Sequence, residues 1–250
     1  MANGISQLEN RDWDIKKNLT VTGNFRKTPS KYILEEYFEK LPVLNTNTAY
    51  TNNVSFELLG TNAVAGDVTR STTIAALELQ THGADNDSTI LLPHLDTGLS
   101  SWTGCKWGTE NEVIWEASVR TGAAVTTVLY WAGLKLTNSP TVATDDDKVY
   151  FRFSTDDTDT TWKIVYSIAD TDVTVDSGVT VAAATNYNLR IEIDSDRKAH
   201  FFIDNVKVAV STALTNDIDL IPYIGVQQLA TSITREIYIV YEKISRMIFE

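Results

Sequence analysis

The sequence predicts an all-β protein, an antiparallel jelly-roll β-sandwich carrying an N-terminal arm and one short helix. Two observations predict it. From Val54 onward the apolar runs are short and rich in β-branched and aromatic residues: VSFELLG, TTIAALELQ, STILLP, EVIWEASVR, TVLYWAGLKLT, KVYFRFS and TWKIVYSI. Each run is bounded by Gly, Asn, Asp or Thr with almost no helical spacing between runs, which favours a sandwich over βαβ units. No fixed-period repeat signals a propeller or solenoid.

The stretch Tyr187 to Val208, YNLRIEIDSDRKAHFFIDNVKV, states the pattern most clearly. Tyr187, Leu189, Ile191 and Ile193 alternate with Asn188, Arg190, Glu192 and Asp194, so a strand here turns one face to an apolar core. Ser195 to Lys198 reads as a polar turn, Phe201 and Ile203 resume the apolar face, and Asp204-Asn205 suits the positive φ angles of a tight hairpin. Val206 and Val208 begin a third strand, completing a meander.

Taken from its start, the chain opens on a polar, charged arm over residues 1 to 27, with a possible short strand at Leu19 to Val21. Thr28-Pro29 offers an N-cap and a first-turn proline, and Ile33, Tyr37 and Leu41, flanked by Leu34 and Phe38, predict an amphipathic helix over Pro29 to Leu41. Asn45 to Asn53 is rich in Asn and Thr and reads as a linker. The expected division is therefore 1–49 for arm and helix and 50–250 for the sandwich. In the last strand, EIYIVYEKISRMI, Ile237, Ile239 and Tyr241 alternate with Tyr238, Val240 and Glu242.

The 250 residues, 43% hydrophobic, suffice for a two-layer core. A net charge of −12 and the lack of a Lys/Arg stripe argue against a nucleic-acid partner. A lone cysteine, Cys105, excludes an internal disulfide and a Cys-rich metal site, which fits manufacture in a reducing cytosol. Met1 to Trp13 has no apolar h-region and no run approaches the ~20 apolar residues of a bilayer span, so neither signal peptide nor membrane anchor is expected.

The run Asn111 to Arg120, the hairpin Tyr187 to Val208 and the closing strand Glu236 to Arg246 together resemble the concanavalin A-like lectin/glucanase jelly rolls. The segments ILLPHLDTG, TENEVIWEASVRTG and LYWAGLKLTN, with the end ISR, are similar to structural proteins of tailed bacteriophages that carry such a domain. The resemblance covers about residues 54 to 250. It implies a non-enzymatic virion protein made in the host cytoplasm: a capsid decoration protein docked on the major capsid protein, or a tail or fibre protein. Surface glycans are a further partner it implies, with carbohydrate binding or polysaccharide cleavage on the same fold as the alternative function.

Glu192-Ile-Asp194-Ser-Asp196 places alternating carboxylates on one strand, as retaining glucanases of this superfamily do. The third acid falls in a turn beside Arg197 and Lys198 and the ExDxxE spacing is missing, so no catalytic residue is assigned. Asp96-Thr97-Gly98 occurs once, without the apolar context of an aspartic protease, and reads as a turn. His82, His94 and Asp96 lack any metal-binding spacing. Asp145-Asp146-Asp147 and Asp156-Asp157-Thr158-Asp159 could give oxygen ligands to calcium, but as hairpin turns they need none, and no cofactor is assigned. Trp102 and Trp107, flanking Gly104 in an apparent loop, are the candidate exposed glycan platform, whereas Trp115 and Trp131 lie in strand patterns and suit a core. Cys105 has no identifiable base and no GxSxG elbow occurs.

Tyr32, Ile33, Tyr37, Phe38 and Leu41 give the expected helix more apolar surface than one buried stripe needs, which predicts an oligomer interface there. The phage likeness favours a homotrimer.

Overall fold

The computed structural model of the chain describes residues 30–45, 56–93, 107–137, 145–230 and 233–248. Among these, sixteen strands run in chain order: β1 (Ser30–Glu36), β2 (Leu44–Asn45), β3 (Phe56–Leu59), β4 (Val68–Arg70), β5 (Leu77–Gln80), β6 (Ser88–Pro93), β7 (Ile114–Thr121) and β8 (Val128–Lys135). The second half holds β9 (Lys148–Ser154), β10 (Thr161–Ile168), β11 (Thr171–Thr180), β12 (Asn186–Ile193), β13 (Lys198–Ile203), β14 (Val206–Ala213), β15 (Ile221–Gln228) and β16 (Glu236–Ile248). A single 3-10 turn at Ala65–Asp67 is the sole helical element among the described residues.

The strands form two eight-stranded sheets. The first runs β14-β13-β12-β7-β16-β5-β4, with β1 also on β16; the second runs β11-β10-β9-β8-β15-β6-β3-β2. All pairings are antiparallel except β2 with β3. Alternating apolar residues from both sheets meet between the layers: Trp115, Ile191 and Phe201 from one, Tyr130, Phe151 and Ile224 from the other. Phe151 and Phe201 meet edge to face at 5.6 Å. Each such buried side chain contributes roughly 1.5–3 kcal/mol. The expected meander forms as β12-β13-β14, and Asp204 and Asn205 take φ of 49° and 66° at its second turn.

The segment expected to be a helix is β1, antiparallel to β16 with Ile33 opposite Ser245. Its alternation decides the outcome: Tyr32 and Leu34 pack against the core while Lys31, Ile33 and Glu35 face solvent, a two-residue period that serves the open edge of β16. Tyr32 meets Trp107 at 5.8 Å, and Phe38, at φ 50°, is buried against Phe56 at 5.5 Å. Of the five expected interface residues, Tyr32 and Phe38 are therefore engaged within the chain, whereas Ile33, Tyr37 and Leu41 stay 49%, 55% and 52% exposed. The arm, the strand at Leu19 to Val21, and Trp102, His94, Asp96 and Cys105 lie outside the described residues.

The last strand carries a second correction. The pairing of β16 with β7 shifts between Ile239 and Tyr241, a β-bulge that reverses the facing of the residues beyond it. Ile237 and Ile239 point inward as expected, but Glu242 and Ile244 then take the inner face while Tyr241 lies half-buried on the outer one. Glu242 is 1% exposed, with its Oε1 accepting a 2.9 Å hydrogen bond from Trp115 Nε1. Burial pushes its carboxyl up to about 7 and the indole donor opposes that rise.

Candidate functional site

The outer face of the first sheet carries polar side chains in cross-strand rows. One row runs Ile33, Ser245, Ile114, Glu192, His200 across β1, β16, β7, β12 and β13. The next runs Glu35, Lys243, Glu116, Arg190, Phe202. Lys243 Nζ lies 3.1 Å from Glu116 Oε2, and the Arg190 guanidinium sits 4.1 Å over the Phe202 ring and 3.4 Å from Glu192.

At the end of the first row the β12–β13 turn opens a hollow of about 290 Å³ lined by Lys31, Glu112, Ile114, Glu192, Asp194, His200, Phe202 and Met247. The sequence builds it in two steps. Period-two alternation aims Glu192 outward, directly opposite His200 on β13. Asp194 then closes the turn: its Oδ1 accepts from the backbone N–H of Asp196 and of Lys198, both at 2.9 Å. Its Oδ2 lies 2.7 Å from His200 Nε2. Partial burial works against the Asp194 charge, but the bonds from His200, Lys198 and Asp196 outweigh it and hold the carboxyl below its usual range. An ionised Asp194 makes Nε2–H the donor, leaving Nδ1 of a neutral His200 as the acceptor. An orienting carboxylate, an imidazole and a second carboxylate thus share one pocket, an arrangement able to bind hydroxyls and to move a proton.

The structure brings together Glu192 and Asp194, as their alternation on one strand anticipated, and leaves Asp196 outside, mostly exposed and 3.9 Å from Lys198 Nζ. His200 was missed by the sequence reading: it enters the site through its register opposite Glu192 on β13, which alternation along a single strand does not supply. Trp107, expected as a glycan platform, is 1% exposed because it lies beneath Tyr32 of β1. Trp115 is in the core as expected. Trp131 is buried too, but on the far face of the second sheet with Tyr150 and Tyr223. Gly225 makes room for the Trp131 ring, since a Cβ there would lie 2.9 Å from Trp131 Cε3, and Gly133 lets the β9 backbone approach, since a Cβ there would lie 2.6 Å from Tyr150 Cα. Those aromatics are withdrawn from solvent and offer no open stacking surface.

The acidic runs are tied into the fold. Asp145 is buried, accepting from Thr137 Oγ1 at 2.6 Å and lying 3.7 Å from Lys135 Nζ. Asp157 and Asp159 flank Arg152 at 3.3 and 3.5 Å. His82 Nδ1 lies 3.3 Å from Asp67. Among the described residues no group of three or more His, Cys, Asp or Glu side chains is arranged to hold a metal. A larger hollow of about 470 Å³ has mixed walls, Glu35, Glu36, Glu39 and Lys40 beside Tyr37, Leu41, Pro42 and Phe56, and two of its carboxylates are engaged: Glu35 accepts from Tyr37 and Glu36 from the Phe38 N–H.

No protein-family model matches the chain, nor does any curated protein sequence. Solved structures do match. A beta-glucanase of Bacillus licheniformis aligns over 87% of this chain and 98% of its own at 10% identity and a TM-score of 0.53. The carbohydrate recognition domain of Emp46p aligns over 84% and 97% at 11% identity and 0.53. The alginate lyase A1-II', of polysaccharide lyase family 7, aligns over 75% and 86% at 14% identity and 0.54. This chain has the concanavalin A-like fold.

The exclusion of enzymatic activity drawn from the sequence is overturned by these matches, since polysaccharide-cleaving enzymes and a lectin domain share the architecture. The part of the resemblance that pointed to tailed-phage virion proteins gains no support from them.

Proposed function

We propose that the protein is a carbohydrate-active jelly roll whose saccharide site is the Glu192–Asp194–His200 pocket. One observation carries this reading: carboxylates and an imidazole, with Lys31 at the edge, surround an apolar wall of Ile114, Phe202 and Met247. A sugar ring presents hydroxyls at its rim and C–H groups on its faces, and that mixture suits such a lining. At about 290 Å³ the hollow lies at the small end of ligand pockets, which favours a terminal or single sugar unit over a long groove-bound chain. The lectin domain and the polysaccharide-cleaving enzymes among the matched structures support the substrate class.

The test is a panel of polysaccharides and oligosaccharides assayed for both retention and chain cleavage. The wild type should retain or cleave at least one member, and Glu192→Gln should weaken that interaction at least roughly tenfold, the loss of one or two hydrogen bonds to a charged acceptor. A wild type inert toward the whole panel, or a Glu192→Gln variant indistinguishable from it, would remove the pocket from consideration.

A further inference from the structure

Across the outer face of the first sheet, charges alternate from strand to strand: Arg190 on β12, Glu116 on β7, Lys243 on β16 and Glu35 on β1, each directly opposite the next. The row ends on Glu35, because among the described residues β1 pairs only with β16 and no strand covers its other edge. A seven-residue edge strand with an exposed Ile33 is of the kind that soluble proteins usually blunt with charge, proline or a covering loop.

The sequence of this edge is self-complementary. Two copies of Ser30–Glu36 laid antiparallel about a twofold axis at Ile33 set Ile33 against its own copy. Each Lys31 then faces the Glu35 of the other chain, and each Tyr32 faces a Leu34. Lys31, Ile33 and Glu35 all project from the solvent face, so both ion pairs and the central Ile pair form on one side. The second copy's lysine also supplies the next sign in the row: arginine, glutamate, lysine, glutamate, lysine. β5 occupies the edge of β16 at Ile237 and Ile239, whereas β1 occupies it from Glu242 to Ile248. β4 lies outboard of β5, and Arg70 Nη1 donates to Phe38 O at 2.7 Å just past β1, so a β4–β5 hairpin flanks each end of the contact.

We infer that β1 is the interface of a twofold homodimer in which the first sheets of two copies join edge to edge through Lys31–Glu35 and Ile33–Ile33 pairs. The partner is a second copy of this chain, and the symmetry is two rather than the three expected from the phage likeness.

Sedimentation velocity on the full chain should give a species of twice 27.8 kDa at micromolar concentration. Glu35→Lys sets lysine against lysine twice and should weaken self-association at least roughly tenfold, with circular dichroism unchanged. Lys31→Glu should do the same with two glutamate pairs. The double variant Lys31→Glu with Glu35→Lys restores opposite charges and should restore the dimer. A monomeric wild type overturns the inference, as does a trimer indifferent to either single change. Failure of the charge exchange to recover the dimer also overturns it, since Glu35 would then act through Tyr37 or Lys243 within its own chain.

Discussion

Asp194 Oδ2 and His200 Nε2 lie 2.7 Å apart, joined across a turn whose backbone the same carboxylate ties down through its other oxygen. One side chain therefore sets both the hairpin and the orientation of the imidazole beside Glu192. Asp194→Ala should lower stability by about 1–2 kcal/mol at neutral pH, the usual effect of losing a carboxylate that caps backbone N–H groups. Its depressed carboxyl fixes the sign with pH. The stabilisation is fully present above the unfolded pKa of roughly 4 and is lost as pH falls through the lower folded value. Urea denaturation of wild type and variant at pH 7 and pH 3 should show the gap closing in acid; a gap that stays constant would contradict it.

Glu242 behaves in the opposite sense. Its folded carboxyl is raised to about 7, so the native state holds a proton that the unfolded chain has released between about pH 4.5 and 7. Its neutral form suits the core, and stability declines as pH rises through that window before levelling off. Glu242→Gln keeps an acceptor for Trp115 Nε1 without an ionisation to suppress. Its stability relative to wild type should rise by up to about 3 kcal/mol between pH 5 and pH 8, by the linkage between pKa shift and free energy. Thermal melts of the two proteins across that range check this, and parallel pH profiles would show that Glu242 is not the titrating group.

The pairing of β1 with β16 bears on where the folded unit begins. A chain starting at Tyr50 loses β1, the Tyr32 cover on Trp107, and Phe38 from its contact with Phe56. Removing a buried phenylalanine alone costs about 3–5 kcal/mol. A chain starting at Thr28 should melt cooperatively near the full-length temperature, whereas one starting at Tyr50 should melt far lower or aggregate. Equal melting of the two would mean that β1 adds nothing to the sandwich.

The strands legible in the sequence were those where burial imposes strict alternation, as in β12, where Tyr187, Leu189, Ile191 and Ile193 all reach the core. Two features defeated that reading for physical reasons. Ile33, Tyr37 and Leu41 satisfy a helical period as well as an extended one, and the open edge of β16, a tertiary effect, chose the strand. The bulge at Ile239 to Tyr241 inserts one residue, and an alternation count cannot anticipate the reversal that buries Glu242. The site was half legible: alternation put Glu192 and Asp194 on one side, but His200 joins them only through the register of β13. Trp107 was expected to be exposed because it flanks Gly104 in an apparent loop; the cover it receives from Tyr32 of β1 is a tertiary contact that local sequence does not carry.

A saccharide seated beside Glu192, Asp194 and His200 would show itself in amide hydrogen exchange, measured with and without the oligosaccharide that the protein retains best. Exchange should slow at the end of β12, in the turn at Asp194 to Lys198, along β13 through Phe202, and at Glu112 to Ile114, with β8, β9 and β15 unchanged. Protection confined to β8, β9 and β15, the strands that carry Trp131, Tyr150 and Tyr223, would place the saccharide on the opposite sheet and contradict the assignment.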